Sequence, residues 1–135
     1  MDTLFLDANE LFSAAYRKNA GVRRLWNLPG VRLTTSAYAS EEARRNLKEP
    51  EQRADLEELS GSLDVSSAIA ELEESPIFEA VNLPDKDRPI LLAAINARAT
   101  HLVTGDFAHF GPYYGQKIEG VLILPPARYL RGFVR

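Results

Sequence analysis

A short apolar run that stops at an acid begins the chain and constrains its fold most strongly. Leu4, Phe5 and Leu6 are consecutive apolar residues, which is typical of a strand buried on both faces of a parallel sheet. Asp7 ends the run, and helical spacing follows it, so Asp7 lies at the corner where open α/β sheets place their ligands. Considered alone, this corner is better explained as a helix cap, with Glu10 as the capping-box partner; a second acid at a similar corner changes that balance.

The rest of the chain repeats this alternation of apolar runs and helical segments. Strands are predicted at 31–34, 63–65, 101–104 and 121–124, and helices at about 35–48, 51–59, 66–74, 86–99 and 126–130, with a short helical piece around Trp26. The alternating pattern of 31–34 indicates a strand nearer a sheet edge. This order predicts an α/β fold with a mostly parallel central sheet flanked by helices. Without repeats or a dividing linker, residues 1–135 are expected to form a single domain.

The composition restricts the ligands that a metal site could use. There are no cysteines, and the two histidines, His101 and His109, are too few for a zinc site built from imidazole. Any metal is therefore expected to be held mainly by oxygen. The net charge of −3 gives no general attraction to nucleic acid, so such a role needs locally gathered positive charge. No signal peptide or membrane-spanning run is recognised, and we expect a cytoplasmic protein.

Two acids directly follow predicted buried strands. Asp7 ends the first strand, and Asp106 comes after the strand at 101–104 and Gly105. Because the carboxyl ends of parallel strands meet at one edge of a sheet, these two side chains can approach each other. Considered alone, Asp106 is also explained as a turn residue.

Helix geometry separates two pairs of neighbouring acids. Glu42 lies at the margin of the apolar stripe of its helix, whereas Glu41 points away from that stripe. Asp87 shares a face with the apolar residues of its helix, whereas Asp85 falls on the opposite side. Each inward acid has a structural alternative: Glu42 as a boundary residue paired with an arginine, and Asp87 as a first-turn acid favoured by the helix dipole.

Four acids gathered in one region require a compensating charge. Two unit charges about 4 Å apart repel by about 4 kcal/mol at an effective dielectric constant of about 20. A cluster of Asp7, Glu42, Asp87 and Asp106 therefore implies a bound cation, and oxygen ligands select Mg²⁺ or Mn²⁺. Such an ion acidifies water and neutralises charge on a phosphate oxygen, so the predicted chemistry is phosphodiester hydrolysis.

Several segments, spread over nearly the whole chain, match the motif order of a known family. They are Phe5-Leu6-Asp7-Ala8-Asn9; Thr35-Ser36 with Glu42 and Arg44-Arg45-Asn46-Leu47; Leu83-Pro84-Asp85-Lys86-Asp87; Leu102-Val103-Thr104-Gly105-Asp106; and Gly120-Val121-Leu122-Ile123-Leu124-Pro125-Pro126. In order and spacing the chain resembles PIN domains, in particular the small toxins of the VapC type.

The resemblance implies a three-layer fold and a Mg²⁺- or Mn²⁺-dependent ribonuclease, the toxin of a type II toxin-antitoxin system. The implied catalytic acids are Asp7, Glu42, Asp87 and Asp106, of which Asp7, Asp87 and Asp106 are the metal ligands, with Asn9 and Thr104 as bracing residues. The implied partners are an RNA substrate, a cognate antitoxin and a second copy of the chain in a homodimer, with no membrane partner.

Cations beside the acidic edge are expected to draw the RNA backbone toward it. The candidates are Arg44 and Arg45, which follow Glu42, and Lys86 and Arg88, which flank Asp87. A solvated charged face or an antitoxin contact explains each of them equally well. His109 is interpreted as a substrate contact or as a surface-loop histidine. Phe110, Tyr113 and Tyr114 are interpreted as stacking on bases or as packing.

The sequence argues against two other enzyme or receiver families and leaves one rival function open. A haloacid-dehalogenase-type phosphatase needs a second Asp and then a Thr after the first Asp, but Asn9 and Leu11 occupy those places. A response-regulator receiver needs paired acids after the first strand and a lysine after the last, and this chain has neither feature. The rival from another class is a catalytically silent PIN-type module that binds RNA or protein without turnover.

Overall fold

The computed structural model describes residues 1–67 and 77–133. Within them the strands are β1 (Asp2–Leu6), β2 (Val31–Ser36), β3 (Asp64–Ser66), β4 (His101–Val103), β5 (Lys117–Ile118) and β6 (Val121–Leu124). The α-helices are α1 (Ala8–Tyr16), α2 (Ala37–Asn46), α3 (Pro50–Ser60), α4 (Ile77–Ala80), α5 (Arg88–Asn96), α6 (Phe107–Phe110) and α7 (Pro126–Phe133). Short 3-10 helices span Gly21–Asn27 and Gly111–Tyr113.

The described strands form one sheet in the order β3-β2-β1-β4-β6-β5. Every neighbouring pair is parallel except β5 and β6, which form an antiparallel edge. β1 lies between β2 and β4, and Leu6 is opposite Val103. This arrangement confirms the predicted fold class, and it brings the carboxyl ends of β1, β2 and β4 to one edge.

Strand β1 is covered on both faces of the sheet. Leu4, Phe5 and Leu6 are each 0% exposed, although successive strand residues point to opposite faces. Leu102 and Ile123 in the neighbouring strands are equally buried. Because both faces of the sheet need an apolar cover, helices lie on both sides of it, which gives the three layers expected from the resemblance.

Hydrogen bonds fix the carboxyl edge of the sheet. The backbone N–H of Asp7 donates to the carbonyl oxygen of Val103 at 3.1 Å, and that of Thr104 donates to Leu124 at 3.0 Å. The hydroxyl of Thr35 donates to the carbonyl oxygen of Leu6 at 2.8 Å. The residue after each central strand is therefore held against the strand beside it.

The position of β2 agrees with one prediction, but its polar residues have another explanation. The alternating pattern of 31–34 indicated a strand nearer a sheet edge, and β2 is second from the β3 edge, one place nearer to it than β1. Its polar residues Thr34 and Thr35 are buried because their hydroxyls donate to the carbonyl oxygens of Asp64 and Leu6. The polar side chains of Thr34 and Thr35 therefore form hydrogen bonds inside the protein and are buried away from solvent.

Other boundaries also differ from the predictions. The helix predicted at 86–99 occupies Arg88–Asn96, and Arg98 then adopts a left-handed φ of 54°. Helix α6 and strand β5 are too short to produce a periodic pattern, so neither was predicted. Of the helix predicted at 66–74, Ser66 ends β3, and 68–74 lie outside the described residues. None of the described helices has the length and apolar character needed to cross a membrane.

Replacing Leu102 by Ala tests the core around β4. Leu102 is 0% exposed, so Leu102→Ala is expected to lower the free energy of unfolding by about 2–5 kcal/mol. Val65 on β3 is 44% exposed, so Val65→Ala is expected to change that free energy by about 0.5 kcal/mol or less. Urea denaturation measures both variants, and equal losses would contradict the assignment of Leu102 to the core.

Candidate metal centre

Asp7 lies where β1 ends and is the N-cap residue of α1. Its Oδ1 accepts a hydrogen bond from the backbone N–H of Ala8 at 2.6 Å, and its Oδ2 accepts one from the hydroxyl of Thr104 at 2.7 Å. Burial raises the pKa of Asp7 to about 6; the two hydrogen bonds oppose this rise, and the charges of Asp87 and Asp106 add to it. Asp7 is therefore buried within electrostatic reach of two other predicted acids.

Thr104 joins the ends of β1 and β4. It is 0% exposed, and the hydroxyl that donates to Asp7 also accepts the backbone N–H of Asp106 at 3.1 Å. Its carbonyl oxygen accepts the hydroxyl of Tyr114 at 2.7 Å. One hydroxyl thus orients the Asp7 carboxylate and the backbone of Asp106, the position in which the resemblance expects a bracing residue.

Glu10 is a buried acid that the sequence analysis assigned to a helix cap. Its carboxylate oxygens accept the backbone N–H of Gly105 at 3.1 and 3.2 Å. A capping box would use the N–H of Asp7, which donates to Val103 instead. Burial, followed by the charge of Asp7, raises the pKa of Glu10 well above its usual range. Asn9, expected to brace the first carboxylate, is exposed, and its side chain makes no hydrogen bond within the described ranges.

Asp87, Asp106 and His109 form a compact cluster beside these residues. One ligand atom from each lies within 4.8 Å of the other two. Nδ1 of His109 lies 2.9 Å from Oδ2 of Asp106, with which it forms a hydrogen bond, and 3.0 Å from Oδ2 of Asp87. His109 is on α6 and half-buried, so the surface-loop interpretation of this residue is wrong.

Asp87 is the most buried member of this cluster, with 7% exposure. Its Oδ2 is buried and has no hydrogen-bond partner among the described residues, because the Nδ1 of His109 nearby is bonded to Asp106. Burial raises the pKa of Asp87, while His109 opposes the rise and Asp106 adds to it. The side chain of Asp85 is 98% exposed. The two acids precede α5, with Asp87 as its N-cap residue, and their predicted difference in burial is confirmed.

Glu42 and Glu41 also differ in burial. The Glu41 side chain is 55% exposed, whereas Glu42 is half-buried. Burial raises the pKa values of Asp87 and Tyr38, and the charge of Glu42 adds to both rises. The hydroxyl of Tyr38 donates to the carbonyl oxygen of Lys86 at 2.9 Å, which joins α2 to the segment before α5. Glu42 therefore lies within electrostatic reach of Asp87 but is not part of the compact cluster.

The four predicted RNA-binding cations differ in their contacts. Arg44 pairs with a neighbouring glutamate at 3.7 Å. Arg88 pairs with a neighbouring aspartate at 3.6 Å, and its guanidinium lies 5.0 Å from the ring centroid of Phe78. Arg45 and Lys86 are exposed and form no ion pair within the part of the chain that is described. These two keep their charged groups available for an external phosphate.

Most of the aromatic residues after Asp106 make contacts within the protein, as the packing interpretation predicted. Phe110 is 0% exposed, and the hydroxyl of Tyr113 accepts the backbone N–H of Asn82 at 2.7 Å. Tyr114 is committed to the carbonyl of Thr104. Phe107, which the sequence analysis did not single out, is 76% exposed beside the acids. It is therefore the aromatic in this segment with a face open to a partner.

The donor atoms at this edge fit a divalent cation. Carboxylate oxygens are the ligands that Mg²⁺ and Mn²⁺ prefer. The buried Oδ2 of Asp87 has no donor within the described ranges, and an unsatisfied buried acceptor costs about 1–3 kcal/mol or more when charged. A cation among Asp7, Asp87 and Asp106 would satisfy that atom and offset the charges that raise the pKa of Asp7.

Solved structures of toxin-antitoxin systems have a similar fold. A chain of VapBC2 from Rickettsia felis, bound to a DNA fragment from its promoter, matches with a TM-score of 0.67 and 17% identity over 91% of this chain and 98% of that one. A chain of a toxin-antitoxin complex from Klebsiella pneumoniae gives 0.63 and 20% over 88% and 95%. A chain of FitAB bound to an IR36 DNA fragment gives 0.55 and 17% over 91% and 94%.

These structures share the fold of this chain, which agrees with the α/β fold that the resemblance implies. No protein-family model matches the sequence, and no curated protein matches it significantly. The likeness therefore lies in the backbone arrangement, and the chemistry of the site has to be argued from its own residues.

The raised pKa of Asp7 makes the stability of the metal-free protein depend on pH. The folded-state pKa of about 6 lies above the ordinary 3.8, so the unfolded chain loses this proton first and stability falls between about pH 4 and pH 6. Asp7→Asn removes the ionisation. We expect it to raise the free energy of unfolding by up to about 3 kcal/mol at pH 8, with no such gain near pH 3.5.

Urea denaturation in EDTA at both pH values measures this difference. Asp85→Asn is the matched control, since its side chain is 98% exposed. A metal-free Asp7→Asn variant that is less stable than the wild type at pH 8 would contradict the electrostatic account of this corner.

Proposed function

We propose that this protein is a divalent-metal-dependent ribonuclease that hydrolyses RNA phosphodiester bonds and acts as the toxin of a type II toxin-antitoxin system. The observation that carries the proposal is the buried Oδ2 of Asp87, which accepts no hydrogen bond among the described residues and lies beside Asp106 at the same sheet edge as Asp7. The similarity in fold to chains from toxin-antitoxin complexes supports the biological role.

The chain supplies the ligands for Mg²⁺ or Mn²⁺. Asp7, Asp87 and Asp106 would hold the ion, with Thr104 fixing the orientation of Asp7 through its 2.7 Å hydrogen bond. Two unit charges about 4 Å apart repel by about 4 kcal/mol at an effective dielectric constant of about 20. A cation bound among the acids would offset this repulsion and so stabilise the folded arrangement.

The remaining residues act on the substrate and the water. When bound, the ion acidifies water and offsets the charge that develops on the phosphate. Glu42 on α2 lies within electrostatic reach of Asp87 and would accept the proton of the attacking water. Arg45 and Lys86 would hold the RNA backbone, since their charged groups have no ion pair within the described ranges. The exposed ring of Phe107 offers a stacking surface for a base.

The fold neighbours also support a protein partner. The Klebsiella structure is a toxin-antitoxin complex, and the Rickettsia structure is VapBC2. By this analogy a cognate antitoxin binds the chain. The sequence resemblance to VapC-type toxins adds the proposal that two copies of the chain associate as a homodimer. The competing proposal is a module with the same fold that binds RNA or protein without cleaving it.

Two matched pairs of variants test catalysis. Asp7→Asn is expected to abolish Mn²⁺-dependent RNA cleavage, and Glu42→Gln to slow it by roughly 10²–10⁴-fold. The exposed neighbours provide controls: Asp85→Asn and Glu41→Gln are expected to keep activity within about twofold of the wild type. Cleavage of labelled RNA is followed with Mn²⁺, with Mg²⁺ and with EDTA.

Cleavage that persists in EDTA or in Asp7→Asn would overturn the metal-dependent mechanism. If the wild type binds RNA but does not cleave any RNA under these conditions, the binding-module alternative is correct. Loss of activity in Glu41→Gln as large as that in Glu42→Gln would remove Glu42 from its assigned role.

The salt dependence of RNA binding tests the two cations. We expect Arg45→Ala and Lys86→Ala each to lower the slope of log affinity against log salt by about 0.7, because each removes one phosphate contact. Arg32→Ala is the control, because Arg32 is already paired with Asp64 at 2.7 Å near the start of β2. Binding is measured with each substitution combined with the inactivating Asp7→Asn change. If neither Arg45→Ala nor Lys86→Ala changes the slope, the RNA backbone does not contact these two residues.

A further inference from the structure

His109 lies between two of the carboxylates assigned to the ion. Its Nδ1 is 2.9 Å from Oδ2 of Asp106 and 3.0 Å from Oδ2 of Asp87. We infer that Nδ1 of His109 is itself a ligand of the divalent cation, so that the site combines nitrogen and oxygen rather than oxygen alone. This inference rests on the proposed metal-dependent function and adds a ligand to it.

The spacing within the cluster allows one cation to be held by all three side chains. One ligand atom from each of Asp87, Asp106 and His109 lies within 4.8 Å of the other two, and Nδ1 of His109 is 2.9 and 3.0 Å from the two carboxylate oxygens. A metal-binding imidazole nitrogen carries no proton, so Nδ1 would exchange its hydrogen bond with Asp106 for a bond to the ion.

The local chain holds the imidazole in this position. Asp106 caps α6, and its Oδ1 accepts the backbone N–H of His109 at 3.2 Å. The other oxygen, Oδ2, is the one that faces Nδ1. The hydroxyl of Thr104 accepts the N–H of Asp106, so the turn that carries both groups is anchored to the end of β4. Asp106 and His109 therefore present their ligand atoms from one fixed helical turn.

The buried oxygen of Asp87 is the independent sign of a ligand at this place. The Asp87 side chain is 9% exposed, and its Oδ2 has no hydrogen-bond partner in the described ranges. That atom lies within the cluster, 3.0 Å from Nδ1 of His109. A cation contacting Asp87, Asp106 and His109 satisfies the buried oxygen, which a hydrogen bond of His109 to Asp106 alone leaves unsatisfied.

A nitrogen ligand changes which metal the site prefers. Imidazole binds transition metals better than Mg²⁺, which favours carboxylate, carbonyl and water oxygens. The chain should therefore bind Mn²⁺ more tightly than Mg²⁺, by more than a site built from carboxylates alone. In the rival arrangement, the imidazole of His109 occupies the place of the metal between Asp87 and Asp106, and removing it would strengthen metal binding.

Pulsed electron paramagnetic resonance of the Mn²⁺-loaded full chain, without an affinity tag, tests the ligand directly. The wild type is expected to show the ¹⁴N modulation of a directly bound imidazole. His109→Gln is expected to lose this signal and to bind Mn²⁺ at least about tenfold more weakly, with a smaller loss for Mg²⁺. His101→Gln is the matched control, because His101 lies at the start of β4 against Tyr129.

Absence of ¹⁴N modulation in wild type that has bound Mn²⁺ overturns the inference, as does equal or tighter Mn²⁺ binding by His109→Gln with intact circular dichroism. Separate RNA-cleavage assays distinguish this inference from the proposed function. If the imidazole signal is seen but RNA is not cleaved, His109 is a ligand and the proposed ribonuclease activity is wrong. If metal-dependent cleavage is seen without the signal, the ribonuclease activity stands and His109 is not a ligand. Wild type that binds no Mn²⁺ overturns both.

Discussion

The parallel pairing of β1 with β4 is the constraint on which the site depends. It joins segments 97 residues apart, and a single buried hydroxyl, that of Thr104, then bonds the Asp7 carboxylate and the backbone of Asp106. Glu10 strengthens the same junction by accepting the N–H of Gly105. Because both strands are buried on both faces, this edge cannot shift without disturbing the core.

The same junction carries an electrostatic penalty that a ligand can remove. Asp7, Glu10 and Asp87 are buried acids whose pKa values are all raised, in each case first by burial. A group that binds the folded chain and not the unfolded one stabilises the fold by mass action. A cation at this edge would therefore act on stability and chemistry together, and the metal-free fold depends on its apolar layers.

The sequence was sufficient to predict the structure where the buried residues follow the period of a strand or a helix. The apolar runs predicted β1, β4 and β6, and the helical-face argument separated buried Asp87 from exposed Asp85. It was insufficient where a polar residue is buried by a contact made elsewhere in the chain. Glu10 was considered as a local capping partner, although it bonds Gly105, 95 residues away, and the alternation of β2 did not show that its threonines are buried. His109 was interpreted as a substrate contact or a surface-loop residue, because a four-residue helix has no periodicity to indicate that it lies beside Asp87 and Asp106.

Crystals of the full chain grown with Mn²⁺ and measured at a wavelength where manganese scatters anomalously would test the central claim most directly. The account predicts one anomalous peak at the carboxyl edge of the sheet, within about 2.0–2.3 Å of carboxylate oxygens of Asp87 and Asp106. A manganese peak bound elsewhere, with these carboxylates left uncoordinated at saturating Mn²⁺, would contradict it.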